Sequence, residues 1–308
     1  MSGMDLAAAR FPRVGMPEPF YESFYLTAYD PEAPRALWIR HTVWKAPGQA
    51  PVGSVWRTWF DLDGPHADKW STPDLGTGAG AGSLICVGDA VLASDRATAP
   101  DWDLTWEGDD PEFAHLPLPF LYDAPLPRTK SVSLRPRVRF AGEVRVDGRA
   151  IDLTGWTGML GHNWGSEHAE RWIWLRGAGP DWLVDMVLGR IRVGPVSSPW
   201  IANGVLERGG HRTRLGGLGR RVRVDDHEDG CRVRVSGIDV DVAAPTDTLV
   251  AWTYSDPTGG HHNVVHSSVA GLSVRTGDAT LTCEHGATYE IGRREAPTIT
   301  AMQPFTDP

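Results

Sequence analysis

An all-β chain of two units is what the sequence predicts, and three observations carry that reading. Gly and Pro together make about 19 % of the 308 residues, against roughly 12 % in average usage, which argues against a helical bundle. Period-two alternation of apolar and polar residues dominates, and hardly any window shows the i, i+3, i+4, i+7 spacing of an amphipathic helix. Hydrophobic residues at 41 % and charged residues at 22 % let the chain bury enough surface to offset its ordering entropy. Single cores tend to stop growing at about 250 to 300 residues, so this length suits two units.

The first strands fall at Phe20–Tyr29, Ala36–Trp44 and Val52–Leu62, each rich in aromatic and β-branched residues and bounded by Pro/Gly segments. Leu75–Ser83 reads as a flexible loop, and Ala97–Lys130 as a long Pro- and acid-rich connection with one short strand at Asp101–Glu107. Within or just after that connection the sequence divides into an N-terminal unit, 1–125, and a C-terminal unit, 126–308. The sharpest hairpin is Arg137–Thr154, where Asp147-Gly148 suits the positive φ angles of a tight primed turn. A second hairpin spans Arg220–Val235, its valines inward and its arginines outward on either side of DDHEDG. Further strands are expected at Arg171–Arg176, Trp182–Arg190, Trp200–Glu207, Leu249–Tyr254, Asn263–Val274 and Thr280–Ile291.

A formal charge of −9 leaves no positive field for phosphate backbones, so nucleic acid is not an expected partner. Cys86, Cys231 and Cys283 form no CxxC pair, which supports neither a disulfide framework nor a zinc knuckle and fits a reducing compartment. The opening residues carry no apolar core for secretion, and the longest apolar stretch, near Leu84–Ala93, is broken by Asp89. A cytoplasmic protein without stable membrane insertion is therefore expected, its oligomeric state open. GAGAG at Gly78–Gly82 precedes an extended apolar run rather than the helix N-terminus a phosphate needs. No GxSxG, HExxH or P-loop motif occurs, and no cofactor is expected.

Fourteen Trp stand against 8 Phe and 6 Tyr, so the core is either packed on its own indoles or built to line a large apolar cavity. The densest stretch, Gly155–Arg176, sets His162, Asn163, Glu167, His168 and Glu170 among Trp156, Trp164, Trp172 and Trp174. Polar groups among so many large apolar ones must find partners or serve a site, since burying them unpaired costs a few kcal/mol each. On a strand, Trp172 and Trp174 point one way and Ile173 the other, so the two indoles form a pocket wall. A second cluster holds His261, His262 and His266. At spacing four His262 and His266 share a face, which is compatible with metal ligation joined by Glu167 or His168. Surface and hydrogen-bonding histidines with no metal are the reading preferred.

GHNWG at 161–165 with RWIWLR after it, HNVVHSSVAGLSV leading to ATYEIG, and the opening ALWIRHTVW and VWRTWFDLD together resemble the lipocalin-like superfamily of carotenoid 1,2-hydratases (hydroxyneurosporene synthases), tocopherol cyclases and related Diels–Alderases. The resemblance implies two lipocalin/calycin-like antiparallel β-barrels. It also implies a hydrophobic isoprenoid- or polyketide-like ligand in a Trp-lined barrel cavity, hydrated or cyclised by acid catalysis. Hydratases of this group tend to carry an acidic residue before the His-Asn/Gln motif, where this chain has Gly161. Protonating an alkene needs a carboxyl in an apolar site, and Glu167, Asp185 and Asp61 are the substitutes. Indoles would stabilise the developing carbocation through their π faces. The expected catalytic set is Glu167, His162 and Asn163, and the expected ligand-binding set is Trp164, Trp172, Trp174, Trp59 and Asp61. The alternative is a lipid or pigment binding protein without chemistry.

Overall fold

A computed structural model describes residues 5–11, 19–76, 82–277 and 279–307. Alternation of large apolar with polar or small residues makes each strand two-faced, and strands with two apolar faces must be covered on both sides. The chain meets that demand with two large antiparallel sheets, each curled round its own core and packed against the other.

The first sheet has twelve strands and uses the chain from Phe20 to Gly165. Phe20–Tyr29 lies at its centre, between Ala36–Lys45 on one edge and Thr157–Gly165 on the other. Val52–Asp61 and Gly64–Thr72 extend one side; Thr129–Val146, Trp102–Glu107 and the short strands back to Ser83–Val87 extend the other. The sheet curls until Ser83–Val87 comes against Ala36–Lys45 and Val52–Asp61. The second sheet has eleven strands, with Arg171–Gly179 between Trp182–Arg190 and Ala279–Arg293. Val250–Ser255 pairs antiparallel with His261–Thr276 and parallel with Met302–Thr306.

All the expected strands form. The Asp147-Gly148 turn has φ values of 49° and 76°, the left-handed pair that a two-residue primed hairpin requires. In the second hairpin Val233 and Val235 are buried while Arg232 and Arg234 face solvent. The expected connection over Ala97–Lys130 holds more strand than its composition suggests, including Phe113–Ala114, and a single 3-10 turn at Pro119–Tyr122. Of the glycine-rich loop, residues 77–81 lie outside the described residues.

The division after residue 125 does not coincide with the change of sheet. Thr129–Val146 and Thr157–Gly165 hydrogen-bond within the first sheet, so the chain passes between sheets over residues 166–170. The Pro-rich connection is an excursion inside one sheet, anchored by Tyr122 and Phe113 in the first core or beside it. No helix among the described residues is long and apolar enough to cross a membrane.

Alternation decides what meets at the seam between the sheets. On Phe20–Tyr29, Phe20, Phe24, Leu26 and Ala28 enter the first core; Tyr21, Tyr25 and Tyr29 face the second sheet. On Arg171–Gly179, Ile173 and Leu175 enter the second core, while Trp172 and Trp174 face back. The seam is thus aromatic from both sides: Trp38 stacks on Trp252 at 5.1 Å, and Trp56 meets the Tyr254 ring edge-on at 5.6 Å. Hydrogen bonds cross it as well, Tyr29 to Thr288 at 2.6 Å and the Trp44 indole to the Ser255 carbonyl at 3.0 Å.

Candidate functional site

Two glycines open the seam to aromatic rings. A Cβ on Gly161 would stand 2.2 Å from the Tyr25 ring, and one on Gly292 would stand 2.1 Å from the Trp172 ring. The hydroxyl end of the Tyr25 ring therefore lies over Gly161, and the ring meets Trp174 edge-on at 5.2 Å. A side chain at position 161, acidic or not, has no room beside that ring.

Three clusters of polar groups sit along this aromatic surface. In the first, Asp185 is fully buried opposite Arg176 on the neighbouring strand. Its Oδ2 accepts the Ser133 hydroxyl at 2.5 Å and its Oδ1 accepts the Trp174 indole N–H at 3.2 Å. The Ser133 oxygen lies 3.1 Å from His115 Nε2, whose ring is buried and whose pKa is pushed below the usual range by that burial, despite Asp185. The Ser133 hydroxyl donates to Asp185, so its oxygen can accept from His115 when Nε2 carries the single ring proton; Nδ1, 3.4 Å from the Asn203 carbonyl, is the other place for that proton.

In the second cluster, Glu290 accepts the Trp172 indole N–H at 2.9 Å, lies 3.2 Å from His266 Nδ1, and His266 Nε2 contacts the Ser268 hydroxyl at 2.8 Å. Burial works against the charge on Glu290, but His266, Trp172 and Arg40 hold its carboxyl below the ordinary range. Arg40 itself is buried, its guanidinium 4.0 Å from the centre of the Tyr254 ring and its Nε bonded to Ser23 at 3.1 Å. Arg40 Nη1, the Trp38 and Trp56 indole N–H groups and Asn163 Oδ1 are buried without a hydrogen-bond partner. Natural interiors leave few such atoms unpaired, because each costs about 1–3 kcal/mol. Three donors and one acceptor of this kind, the Asn163 oxygen, lie along one aromatic surface. In the third cluster, His168, Asp256 and His262 converge at the end of the seam.

The structure divides the residues that the sequence singled out. Trp172, Trp174, Asn163 and Asp185 share the seam. His162, Trp164 and Trp59 point the other way, into the first core. His162 stacks on Phe24 at 4.0 Å and on Trp164 at 4.5 Å, and its Nε2 lies 2.8 Å from Glu22. Glu22 also accepts the backbone N–H groups of Arg10 and Phe11, and His162 Nδ1 faces the Leu6 carbonyl at 2.9 Å, so residues 5–11 stopper that end of the barrel. The indole of Trp59 donates to Asp61 at 2.7 Å and lines a separate open depression of about 270 Å³ with Arg57, His66 and Asp147. Glu167 sits in the connection between sheets with its carboxylate on Arg128. Its position is a partly exposed ion pair rather than an apolar pocket.

His262 and His266 do share a face, yet they take different partners: His262 goes to Asp256 and His168, and His266 to Glu290. Sequence reasoning missed Arg40, His115, Ser133 and Glu290. For Arg40 a signal existed, since alternation places it on the same face as Trp38 and Trp44, a cation on an aromatic stripe. His115 sits in the Pro-rich connection, where nothing in the local sequence distinguishes it.

No family model matches the chain. Uncharacterised proteins from two strains of Mycobacterium tuberculosis are 25 % identical over 159 residues, which is 50 % of this chain and 48 % of theirs; the chain spans about half the length of the curated relatives it matches. Among solved structures, an AttH candidate from Nitrosomonas europaea is similar with a TM-score of 0.59 at 14 % identity, over 94 % of this chain and 98 % of that one. CghA solved with Sch210972 gives 0.61 at 11 %, over 90 % and 88 %. Kievitone hydratase from Nectria haematococca gives 0.53 at 11 %, over 88 % of each chain. The chain has the two-sheet all-β fold of these proteins, the fold expected for the superfamily its motifs resemble.

Proposed function

We propose that the seam binds an elongated, largely apolar small molecule of isoprenoid or polyketide type, and that the chain hydrates or cyclises it by delivering a proton. The observation that carries this reading is the Asp185 carboxyl, buried against Trp174 and joined through Ser133 to His115. Asp185 is the proton donor. It delivers its proton as the protonated acid and regains one from the water that adds or from the carbon that loses a proton on ring closure. Ser133 and the Trp174 indole hold the carboxyl in place, and the faces of Trp174 and Tyr25 stabilise positive charge developing on the substrate. Arg40 and the unpaired indole N–H groups hold an oxygen function of the substrate in register. The similar fold of a hydratase and of a protein crystallised with a small organic ligand supports the reading.

The test is turnover in D2O with a panel of linear polyenes and isoprenylated phenols, followed by mass spectrometry. Proton-initiated hydration or cyclisation places one deuterium on carbon. Asp185→Asn should lower that turnover on the order of 100- to 10,000-fold while keeping the affinity for 8-anilinonaphthalene-1-sulfonate, an apolar anionic probe. Equal turnover by Asp185→Asn removes Asp185 from its role. Tight binding of panel members with no deuterium incorporated leaves a binding protein instead of an enzyme.

A further inference from the structure

The third cluster carries chemistry that the proposed proton donor does not use. Val250–Ser255 ends at Asp256, whose N–H and C=O close the following turn on Gly260 and Gly259, each at 2.8 Å. The turn leads directly into His261–Thr276, and the register sets His262 opposite Tyr254. From the other side the 166–170 connection brings in His168, whose backbone N–H donates to Asp256 Oδ1 at 2.8 Å and whose Nδ1 lies 2.7 Å from the same oxygen.

The other carboxylate oxygen is left over. Asp256 Oδ2 has no hydrogen-bond partner, and neither ring nitrogen of His262 has one. His262 is 0 % exposed and Asp256 1 %, so no bulk solvent satisfies them. His262 Nδ1 stands 3.4 Å from Asp256 Oδ2, too far for a good hydrogen bond. Two ligands held about 2.1 Å from one ion at a tetrahedral angle are themselves about 3.4 Å apart. Donor atoms of all three side chains lie within 4.8 Å of one another.

Aromatic rings hold the imidazoles in place: Tyr21 stacks on His168 at 4.4 Å, Trp172 on His168 at 5.3 Å, and Trp172 meets His262 at 5.2 Å. Such packing fixes ligand orientation in the way that outer-shell groups do in built metal sites. Asp307, buried and with an unpaired Oδ1, is within electrostatic reach of His168 and balances part of an added positive charge; Arg294 and His261, near His262, oppose it.

We propose that His168, Asp256 and His262 bind one divalent ion of the zinc class, with water or an oxygen of a bound ligand in the fourth position. Two imidazoles and one carboxylate suit zinc and its late first-row neighbours. Calcium and magnesium, which need six or more oxygen ligands, are excluded by the donor set. The ion ties the connection between the sheets to the hairpin that begins the long His261–Thr276 strand.

The experiment is zinc titration of the full chain, freed of metal with a chelator, against a chromogenic zinc indicator, with elemental analysis after dialysis. One zinc per chain is expected, with an affinity lowered on the order of 100-fold in His262→Gln and Asp256→Asn. His261→Gln, altered at the exposed neighbour, retains binding. Zinc should raise the Tm of the wild type and of His261→Gln but not of the two ligand variants. Asp256 also anchors the His168 backbone, so His262→Phe, which keeps a ring among Trp172 and Tyr254, serves if Asp256→Asn does not fold. Wild-type binding no tighter than that of the His262 variants, or equal loss in His261→Gln, overturns the site.

Discussion

At the scale of single residues, burial sets the acid response. His41 lies in the first core at 0 % exposure with neither ring nitrogen bonded, and burial pushes its pKa down to about 3. The unfolded chain takes up a proton near pH 6.5, well before the folded one. Stability from this group is therefore complete above about pH 6.5 and is lost as the pH falls toward 3. Between pH 6.5 and 4.5 the loss amounts to about 2 kcal/mol. Urea titrations at those two pH values should show the drop in wild type and a smaller one in His41→Leu; equal drops would show that His41 is not its source. Asp256 and Glu290 act in the same sense, because their bonded partners hold both carboxyls low despite burial. Their contribution fades as the pH falls through the ordinary carboxylate range, where the unfolded chain takes up protons first, and is gone once the folded carboxyls themselves protonate.

At the scale of elements, the strand Thr157–Gly165 shows how far the sequence could be read. Its alternation, its Gly-bounded motif and its place before a Trp-rich strand were legible, and so was the opposition of Trp172 to Ile173. What lay beyond reach was the partner of each face. Whether His162 or Asn163 meets the second sheet depends on pairing Phe20–Tyr29 with Thr157–Gly165, a contact across some 140 residues that no local window encodes. The same long-range register brings Ser133, His115 and Asp185 together from three separate strands or loops, which is why the cluster was invisible while its carboxyl was only one of three substitutes. Gly161 has its explanation here too: the acid expected before His162 is excluded by the Tyr25 ring. Gly161→Ala should accordingly destabilise the chain by about 1–3 kcal/mol, measured as a lower urea midpoint, and Tyr25→Leu in that background should recover part of the loss. Additive losses would place the Tyr25 contact elsewhere.

At the scale of the whole molecule, the seam is a third core rather than a contact between finished units. Trp38, Trp56, Phe60, Trp252, Tyr254 and Val264 are all buried there, and Tyr29, Trp44 and Ser133 hydrogen-bond across it. The two sheets should therefore unfold in one transition, with far-ultraviolet dichroism and Trp fluorescence coinciding. Trp252→Ala, which removes a large side chain from the middle of that core, should cost about 3–5 kcal/mol and keep the transition single. Two resolved transitions in the wild type would mean that each sheet is stable alone.

The central position of Phe20–Tyr29 also sets a timetable for synthesis. One of its edges is covered as soon as Ala36–Lys45 follows, but the other waits for Thr157–Gly165. At roughly 5–20 residues per second, the ribosome leaves that edge open for roughly 7 to 30 seconds. During that interval the backbone N–H and C=O groups along that edge are unpaired on the nascent chain. Slower elongation lengthens the interval, so the yield of folded protein depends on the holding capacity of the host as well as on its rate of translation.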